Sequence, residues 1–368
     1  MLQKKATVIG VGRLGLCFAL TLEKAGYDVC GYDIREDYID SLNDRSFTSS
    51  EPNVTEKLKQ ATNIVFSTDA KLAVDHSNIL FITVRTTSLE DGSYDCSQVE
   101  AVVNQLKKIG KQKSTKYLIL SSNVNPGFSN EVSDGLLEYG YKINFNPEWV
   151  AQGTILYNQS FPDLVVIGEH DKESGDIIET VYKDMCENDP PIHRMDRLSA
   201  EITKVCLNCT LATKITLANM IGDLAVKNGV CPEPILEAIG VDSRIGAKYF
   251  KHGFGFGGPC FPRDVRALIK YMKDCDLPSD IVMSVREYNK YHLKFQVKIF
   301  KSTHSLDETV EINSVSYKPG IPILEESQQL LFAVGLAEAG FKVIIVEEPK
   351  VIVEVKEIYG ELFKYKER

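Results

Sequence analysis

Residues 7–16 read TVIGVGRLGL, a β-branched run that breaks into Gly10, Gly12 and Gly15 and then continues as an amphipathic stretch. A strand feeding a helix through three spaced glycines is the turn that admits a diphosphate. The first glycine makes the turn, the second lets a pyrophosphate approach the backbone at the helix start, and the third lets helix pack on strand. The next apolar run, VCGYD at 29–33, ends in Asp33, whose carboxylate suits ribose hydroxyls and repels a 2′-phosphate, so NAD is expected over NADP. Arg35, two residues on, weakens that preference. Outward from this motif, short apolar runs recur at 6–9, 28–32, 63–66, 79–84, 117–121, 142–145 and 164–167, separated by amphipathic segments. Such alternation means βαβ units, and we expect an α/β fold whose first domain is a Rossmann-like parallel sheet.

The pattern changes after Asp189, Pro190 and Pro191. From Ser199 to about Asn228 there is no proline, and Leu207, Leu211, Ile215, Ala218, Ile221 and Leu224 recur near helical spacing. One helix of about eight turns is expected there. Further helical pattern runs over 233–239 and 265–299 around a glycine-rich insert, and strand, helix, strand return at 310–317, 326–339 and 342–347. We therefore expect an NAD-binding domain over 1–195, a central helical domain over 196–300, and a reduced C-terminal α/β lobe over 301–368.

Composition narrows the function. The 368 residues carry 42 Lys and Arg against 51 Asp and Glu, a formal charge of −9, which is a poor footprint for nucleic acid. No run approaches the roughly 18 consecutive apolar residues of a membrane span, and MLQKKATVIGVG enters a strand without a signal-peptide core, so a cytoplasmic protein without a membrane partner is expected. Nine cysteines, odd in number and mostly in apolar segments, fit a reduced compartment. Cys206 and Cys209 form a lone CxxC inside the helical pattern, better read as packing than as zinc. The six histidines make no HxxxH pair, so no metal is expected.

Two groups carry chemistry. Cys260 lies in GFGFGGPCFPRD at 253–264, where glycines let the main chain crowd a ligand and exposed N–H groups favour a thiolate, so a nucleophile is a serious reading. Lys204 and Asn208 are spaced i and i+4, on one helix face. A solvated polar face is the usual explanation of such a pair, and a site is the alternative.

Over almost its whole length the chain resembles the nucleotide-sugar 6-dehydrogenases, the UDP-glucose and GDP-mannose 6-dehydrogenase family. The resemblance rests on GxGxxG, Glu51-Pro52, Thr86, Asp95 with Ser97, NPEW at 146–149, FPDLVVIG at 161–168, AEITKVCLNCTLATKITLAN at 200–219, DSRIG at 242–246 and the cysteine loop. It implies a four-electron oxidation of a sugar C6 hydroxyl to a carboxylate with two NAD. Cys260 would form a thiohemiacetal and then a thioester, Lys204 and Asn208 would stabilise the oxyanion, Asp264 would orient water, and Glu148 would serve thioester hydrolysis. It further implies Gly10, Gly12, Arg13, Leu14, Gly15, Asp33, Arg35, Val84, Thr86, Asn123 and Arg263 around the cofactor. Around the sugar nucleotide it implies Glu148, Trp149, Val150, Lys204, Asn208, Arg244, Tyr249, Phe254, Gly255, Phe256, Gly257, Cys260 and Lys318. Asn123, which the resemblance also places in the catalytic group, replaces a threonine common in the family. Leu164 and Gln152 stand where arginine and glutamate are common, Arg263 replaces a frequent lysine, and SYKPGIPILEES at 316–327 departs from the family's pattern.

UDP-glucose is the leading substrate, with GDP-mannose and UDP-N-acetylhexosamine as alternatives. A two-electron β-hydroxyacid dehydrogenase and an inactive nucleotide-sugar-binding homologue are the competing classes. The resemblance and the apolar stripe of the long helix imply a homodimer.

Overall fold

The computed structural model describes residues 4–318 and 320–368. The first three residues and Pro319 of the 316–327 motif lie outside it. The chain divides into two compact units, Met1–Lys204 and Val205–Arg368.

The first unit is built on an eight-stranded sheet. Its strands are β1 (Lys5–Ile9), β2 (Asp28–Tyr32), β3 (Ile64–Ser67), β4 (Ile79–Ile82), β7 (Lys116–Leu120), β8 (Tyr141–Phe145), β9 (Val165–Glu169) and β10 (Ile192–Asp196). A separate small hairpin is formed by β5 (Thr87–Ser88) and β6 (Tyr94–Asp95). The spatial order is β10-β9-β8-β7-β4-β1-β2-β3. From β1 the chain winds outward through β2 and β3, then returns to β4 on the other side of β1, with Thr7 beside Leu80. The topological switch thus falls between β1 and β4, the place where open α/β sheets bind ligands. Val8, Val29, Leu80 and Phe81 are completely buried, because helices cover both faces of the sheet. Phe18 of helix Arg13–Lys24 meets Phe81 edge-on at 4.7 Å between ring centroids, locking that helix over the sheet.

One expectation fails at the far edge. The sheet is parallel from β3 to β8, but β9 pairs with β8 antiparallel, Phe145 opposite Gly168, and β10 follows β9 in parallel. The β8–β9 connection carries the short helix Ile155–Ser160, and the chain turns back after it.

Helix Arg197–Lys227 begins in the first unit and continues into the second. Its first turns are tied to the sheet domain by Glu201, whose buried carboxylate accepts from the Gly127 and Ser129 backbone N–H groups at 2.6 and 3.0 Å. By length and mean hydropathy this helix could cross a membrane. Its buried polar residues Asn208, Asn219 and Asp223 instead have protein hydrogen-bond partners, as in a core helix.

The second unit continues with helices Pro232–Gly240, Phe261–Asp274 and Asp280–Thr303. The pattern over 265–299 is thus two helices, broken near Leu277 and Pro278. It ends in a parallel sheet of β11 (Thr309–Asn313), β12 (Lys342–Glu347) and β13 (Lys364–Glu367), with helices Gln328–Glu338 and Pro349–Tyr359 packed on it through Leu330, Ala333, Leu336 and Val355. Strand β13 goes beyond the expected two. Its sequence, KYKE, is an edge strand with little burial, so no apolar alternation announces it.

Candidate functional site

At the sheet's switch point the glycine turn has the shape its sequence implies. Gly10 takes φ +91°, and a Cβ on Gly15 would lie 2.2 Å from the Gly10 carbonyl oxygen, so neither position tolerates a side chain. Gly12, by contrast, faces open space. It is also the N-cap of helix Arg13–Lys24, so the cap position itself brings no side chain to that end. Open N–H groups at a helix start beside a bare glycine fit a diphosphate. Val84 packs against Gly10, its carbonyl accepting from the Ser122 hydroxyl at 2.7 Å, and Thr86 is buried just beyond.

Asp33, at the end of β2, is buried as a ribose partner should be. Both its oxygens, however, accept from Arg35, at 2.8 Å from Nε and 2.9 Å from Nη2, and the guanidinium lies 4.2 Å from the Tyr38 ring centroid. A ribose must share or open this fork. Arg13 donates to Gln152 at 2.8 Å, so the amide at 152 supplies the acceptor that a glutamate there would supply. Glu51, buried, accepts from the Gly153 and Ile155 N–H groups at 2.9 Å each, which fixes the loop after Glu148. Leu14 packs against the sheet core, and Asn123 is half-buried in the turn after β7.

Glu148 is the electrostatic focus of this unit. Burial pushes its carboxyl up to about 7, against the opposing effects of a Gln159 hydrogen bond at 3.2 Å, the Lys204 charge and the Tyr182 hydroxyl at 3.4 Å. The Lys204 ammonium donates to the Glu148 backbone carbonyl at 2.7 Å and sits 4.4 Å from the Trp149 ring centroid. A small cavity beside Glu148 is lined by Trp149, Val150, Gln159, Leu164 and Tyr182. An acid that titrates near neutrality can take or give a proton at working pH.

In the second unit, Cys260 is exposed at the N-cap of helix Phe261–Asp274, where the helix dipole favours negative charge on sulfur. One turn later Asp264 is fully buried. It accepts from Asn208 Nδ2 at 2.5 Å and from Arg263 Nε at 3.0 Å, and its backbone N–H donates to the Cys260 carbonyl at 2.9 Å. Arg263, expected at the cofactor, is thus engaged with Asp264. The CxxC of Cys206 and Cys209 lies within one helix, and the Cys209 thiol contacts the Asp264 carbonyl at 3.4 Å.

The glycine loop owes its shape to two residues that the sequence reading did not single out. Asn219 accepts from Gly253 N–H at 3.0 Å and donates to the Phe254 carbonyl at 3.3 Å. Asn289 accepts from Phe256 N–H at 2.9 Å and donates to its carbonyl at 3.0 Å. Each asparagine acts as a substitute peptide group. A Cβ on Gly255 would meet Asn289 Oδ1 at 2.2 Å, and Gly258, at φ +77°, would meet the Tyr317 ring at 2.4 Å. Gly257 is crowded by the Glu326 carbonyl in the same way. Tyr249 and Phe254 are exposed, whereas Phe256 is buried. Arg244 is exposed and forked onto Asp242, and the backbone of Lys318 bridges to Ile321.

The switch-point glycine turn, the buried acid at the end of β2 and a separate cysteine-bearing unit fit an NAD-binding α/β oxidoreductase. Residues 4–186 match the NAD-binding domain of the UDP-glucose/GDP-mannose dehydrogenase family and residues 198–291 match its central domain, and the chain belongs to this family of nucleotide-sugar 6-dehydrogenases. It is 30% identical to the GDP-mannose 6-dehydrogenase of Pseudomonas aeruginosa, over 97% of this chain and 83% of that one. With a UDP-glucose 6-dehydrogenase of Bacillus subtilis it shares 27% identity over 98% of this chain and 83% of the relative. The structure of a UDP-glucose dehydrogenase from Pyrobaculum islandicum matches 99% of this chain and 86% of its own, at 30% identity and a TM-score of 0.88.

Proposed function

We propose that this chain oxidises the C6 hydroxyl of UDP-glucose to the carboxylate of UDP-glucuronate through a covalent Cys260 intermediate. The observation that carries the reading is Cys260 itself, an exposed thiol at a helix N-cap one turn before the buried Asp264. A two-electron alcohol dehydrogenase has no use for a thiol, whereas an acid-forming one needs an acyl carrier. NAD, when bound, accepts the hydride of each of the two oxidations.

The protein's own groups supply the rest. Lys204 and Asn208 stabilise negative charge on the C6 oxygen as the hydroxyl loses its proton and again when the Cys260 sulfur adds to the aldehyde carbon. Oxidation of that thiohemiacetal leaves a thioester. Asp264 positions water near the acyl carbon, and Glu148 takes the proton of the attacking water, so that the C–S bond breaks and the thiol returns. Trp149, Val150, Arg244, Tyr249, Phe254, Gly255, Phe256, Gly257 and Lys318 bind the sugar nucleotide. Helices over 196–300 and the lobe over 301–368 serve as separate domains that follow the NAD-binding 1–195 in sequence. The match to the Pyrobaculum islandicum structure supports UDP-glucose. GDP-mannose is the second reading, favoured by the 30% identity to the Pseudomonas aeruginosa enzyme.

The test is NADH formed per sugar across matched UDP- and GDP-sugars. Two NADH per UDP-glucose, with Cys260→Ser losing acid production but retaining sugar-nucleotide binding, is expected. One NADH per sugar, or full acid production by the serine variant, refutes the covalent route.

A further inference from the structure

The second unit buries a polar cluster apart from the residues assigned above. Asp223 lies on the long helix, His252 just before the glycine loop, and His292 on helix Asp280–Thr303. One Asp223 carboxylate oxygen is 3.1 Å from His252 Nε2, and both are 2.9 Å from His292 Nδ1. The histidines follow Asp223 by 29 and 69 residues, so no local motif betrays the group.

The hydrogen bonds around it set a constraint. His292 Nε2 lies 2.6 Å from the Gly253 carbonyl, which can only accept, so Nε2 carries a hydrogen. In a neutral ring Nδ1 is then a bare lone pair, and it faces a carboxylate. Two acceptors at that distance repel unless a cation stands between them. His252 Nε2 brings a third possible ligand, and the three ligand atoms lie within 4.8 Å of one another.

The surroundings are shaped for the group. A Cβ on Gly222 would fall 2.1 Å from His252 Cδ2, so the helix is cut away where that ring enters. The Tyr288 hydroxyl donates to Asp223 at 3.2 Å, and Gln296 donates to the same Gly253 carbonyl at 3.1 Å. A histidine that ligates through one nitrogen and donates from the other to a backbone carbonyl is the usual arrangement in metal sites. Two imidazoles and a carboxylate suit zinc and its neighbours rather than calcium or magnesium.

We propose that Asp223, His252 and His292 bind one divalent transition-metal ion of the zinc class. His252 is the partly exposed member and leaves a path for entry, with water completing the shell. The ion fastens Gly253, where the glycine loop begins, to two helices, and takes no part in the oxidation.

The test uses the full-length protein after chelation, titrated with Co²⁺ and competed with Zn²⁺. One equivalent of Co²⁺ with the visible absorption of a nitrogen- and oxygen-ligated ion is expected, together with a raised melting temperature in Zn²⁺. His252→Ala, at the exposed member, and His292→Gln should each weaken binding by at least about tenfold, the scale on which even outer partners act. No Co²⁺ absorption and no Zn²⁺-dependent melting shift in the wild type overturn the proposal. So does undiminished binding by the His252→Ala variant, or an NMR signature of hydrogens on both His292 nitrogens in excess Zn²⁺, which would make the cation a proton.

Discussion

The Lys204 ammonium donates to the backbone carbonyl of Glu148 at 2.7 Å. That bond fixes the direction in which the ammonium points, and a positioned cation is what a developing oxyanion requires. The Trp149 ring, 4.4 Å from the ammonium, restricts it from the side. Lys204→Ala is therefore expected to slow the chemical step by roughly a hundredfold or more, the scale of removing one such donor. Single-turnover NADH formation measures it. A near-normal rate returns Lys204 to a structural role.

The Glu148 carboxyl, held up to about 7 by burial, makes two pH predictions. As the base of thioester hydrolysis it must be ionised, so that step should quicken as pH rises through about 7, and Glu148→Gln should flatten this limb. Stability runs the opposite way. The folded carboxyl keeps its proton to about 7 while the unfolded one loses it near the ordinary glutamate value of 4.5, so the folded state binds the extra proton between these values. Stability falls across that window as pH rises, by an amount on the order of 3 kcal/mol, and remains lowered above it. Urea unfolding at pH 5 and pH 8 should show this loss in wild type and much less of it in Glu148→Gln. Equal losses in the two proteins would assign the pH dependence to other groups.

Strands β1 and β2 are legible because apolar runs end in glycines and an acid whose spacing has one structural meaning. Direction is not legible in the same way. The reversal at β9 leaves no mark in the strand itself, since Val165–Glu169 reads alike in either sense. Strand β13 fails for lack of contrast, since KYKE has one aromatic among charges. At the site, Cys260 stands out through its glycines, and Asp264 through its place one turn beyond. Asn219 and Asn289 do not, because an asparagine in a helix reads as solvated surface until a loop from elsewhere in the chain is laid against it. Arg35 was visible beside Asp33, but only the folded side chains disclose that it occupies both oxygens.

Asn289 pairs with both backbone groups of Phe256, and its removal leaves a buried N–H and a buried carbonyl unsatisfied. Each costs roughly 1–3 kcal/mol. Asn289→Ala should lower stability by about that amount in urea unfolding, and it should lower kcat because the loop that carries Cys260 loses its template. Asn289→Asp keeps the acceptor for Phe256 N–H but removes the donor for its carbonyl. An Asn289→Ala protein with unchanged stability and turnover would show that the glycines alone hold the loop.

The long helix has two unlike sides in its second half. Ala218, Ile221 and Ala225 pack inward, with Leu236 and Phe250 covering Ala218 and Ile221. Leu217, Met220 and Leu224, spaced by three and four residues, are 41%, 43% and 65% exposed. Three large apolar side chains in one exposed row are unfavourable in water, and burying what remains exposed of each contributes on the order of 1 kcal/mol. A two-fold axis would let the same row on a second copy cover them, since an isologous contact is self-complementary. The expected species is a homodimer paired through this helix. Leu224→Glu would set like charges against each other across the axis, or strand one in apolar surroundings, and should yield a folded monomer in sedimentation at micromolar concentration. The wild-type protein sedimenting as a folded monomer there, or the variant remaining a dimer, would place the assembly surface elsewhere.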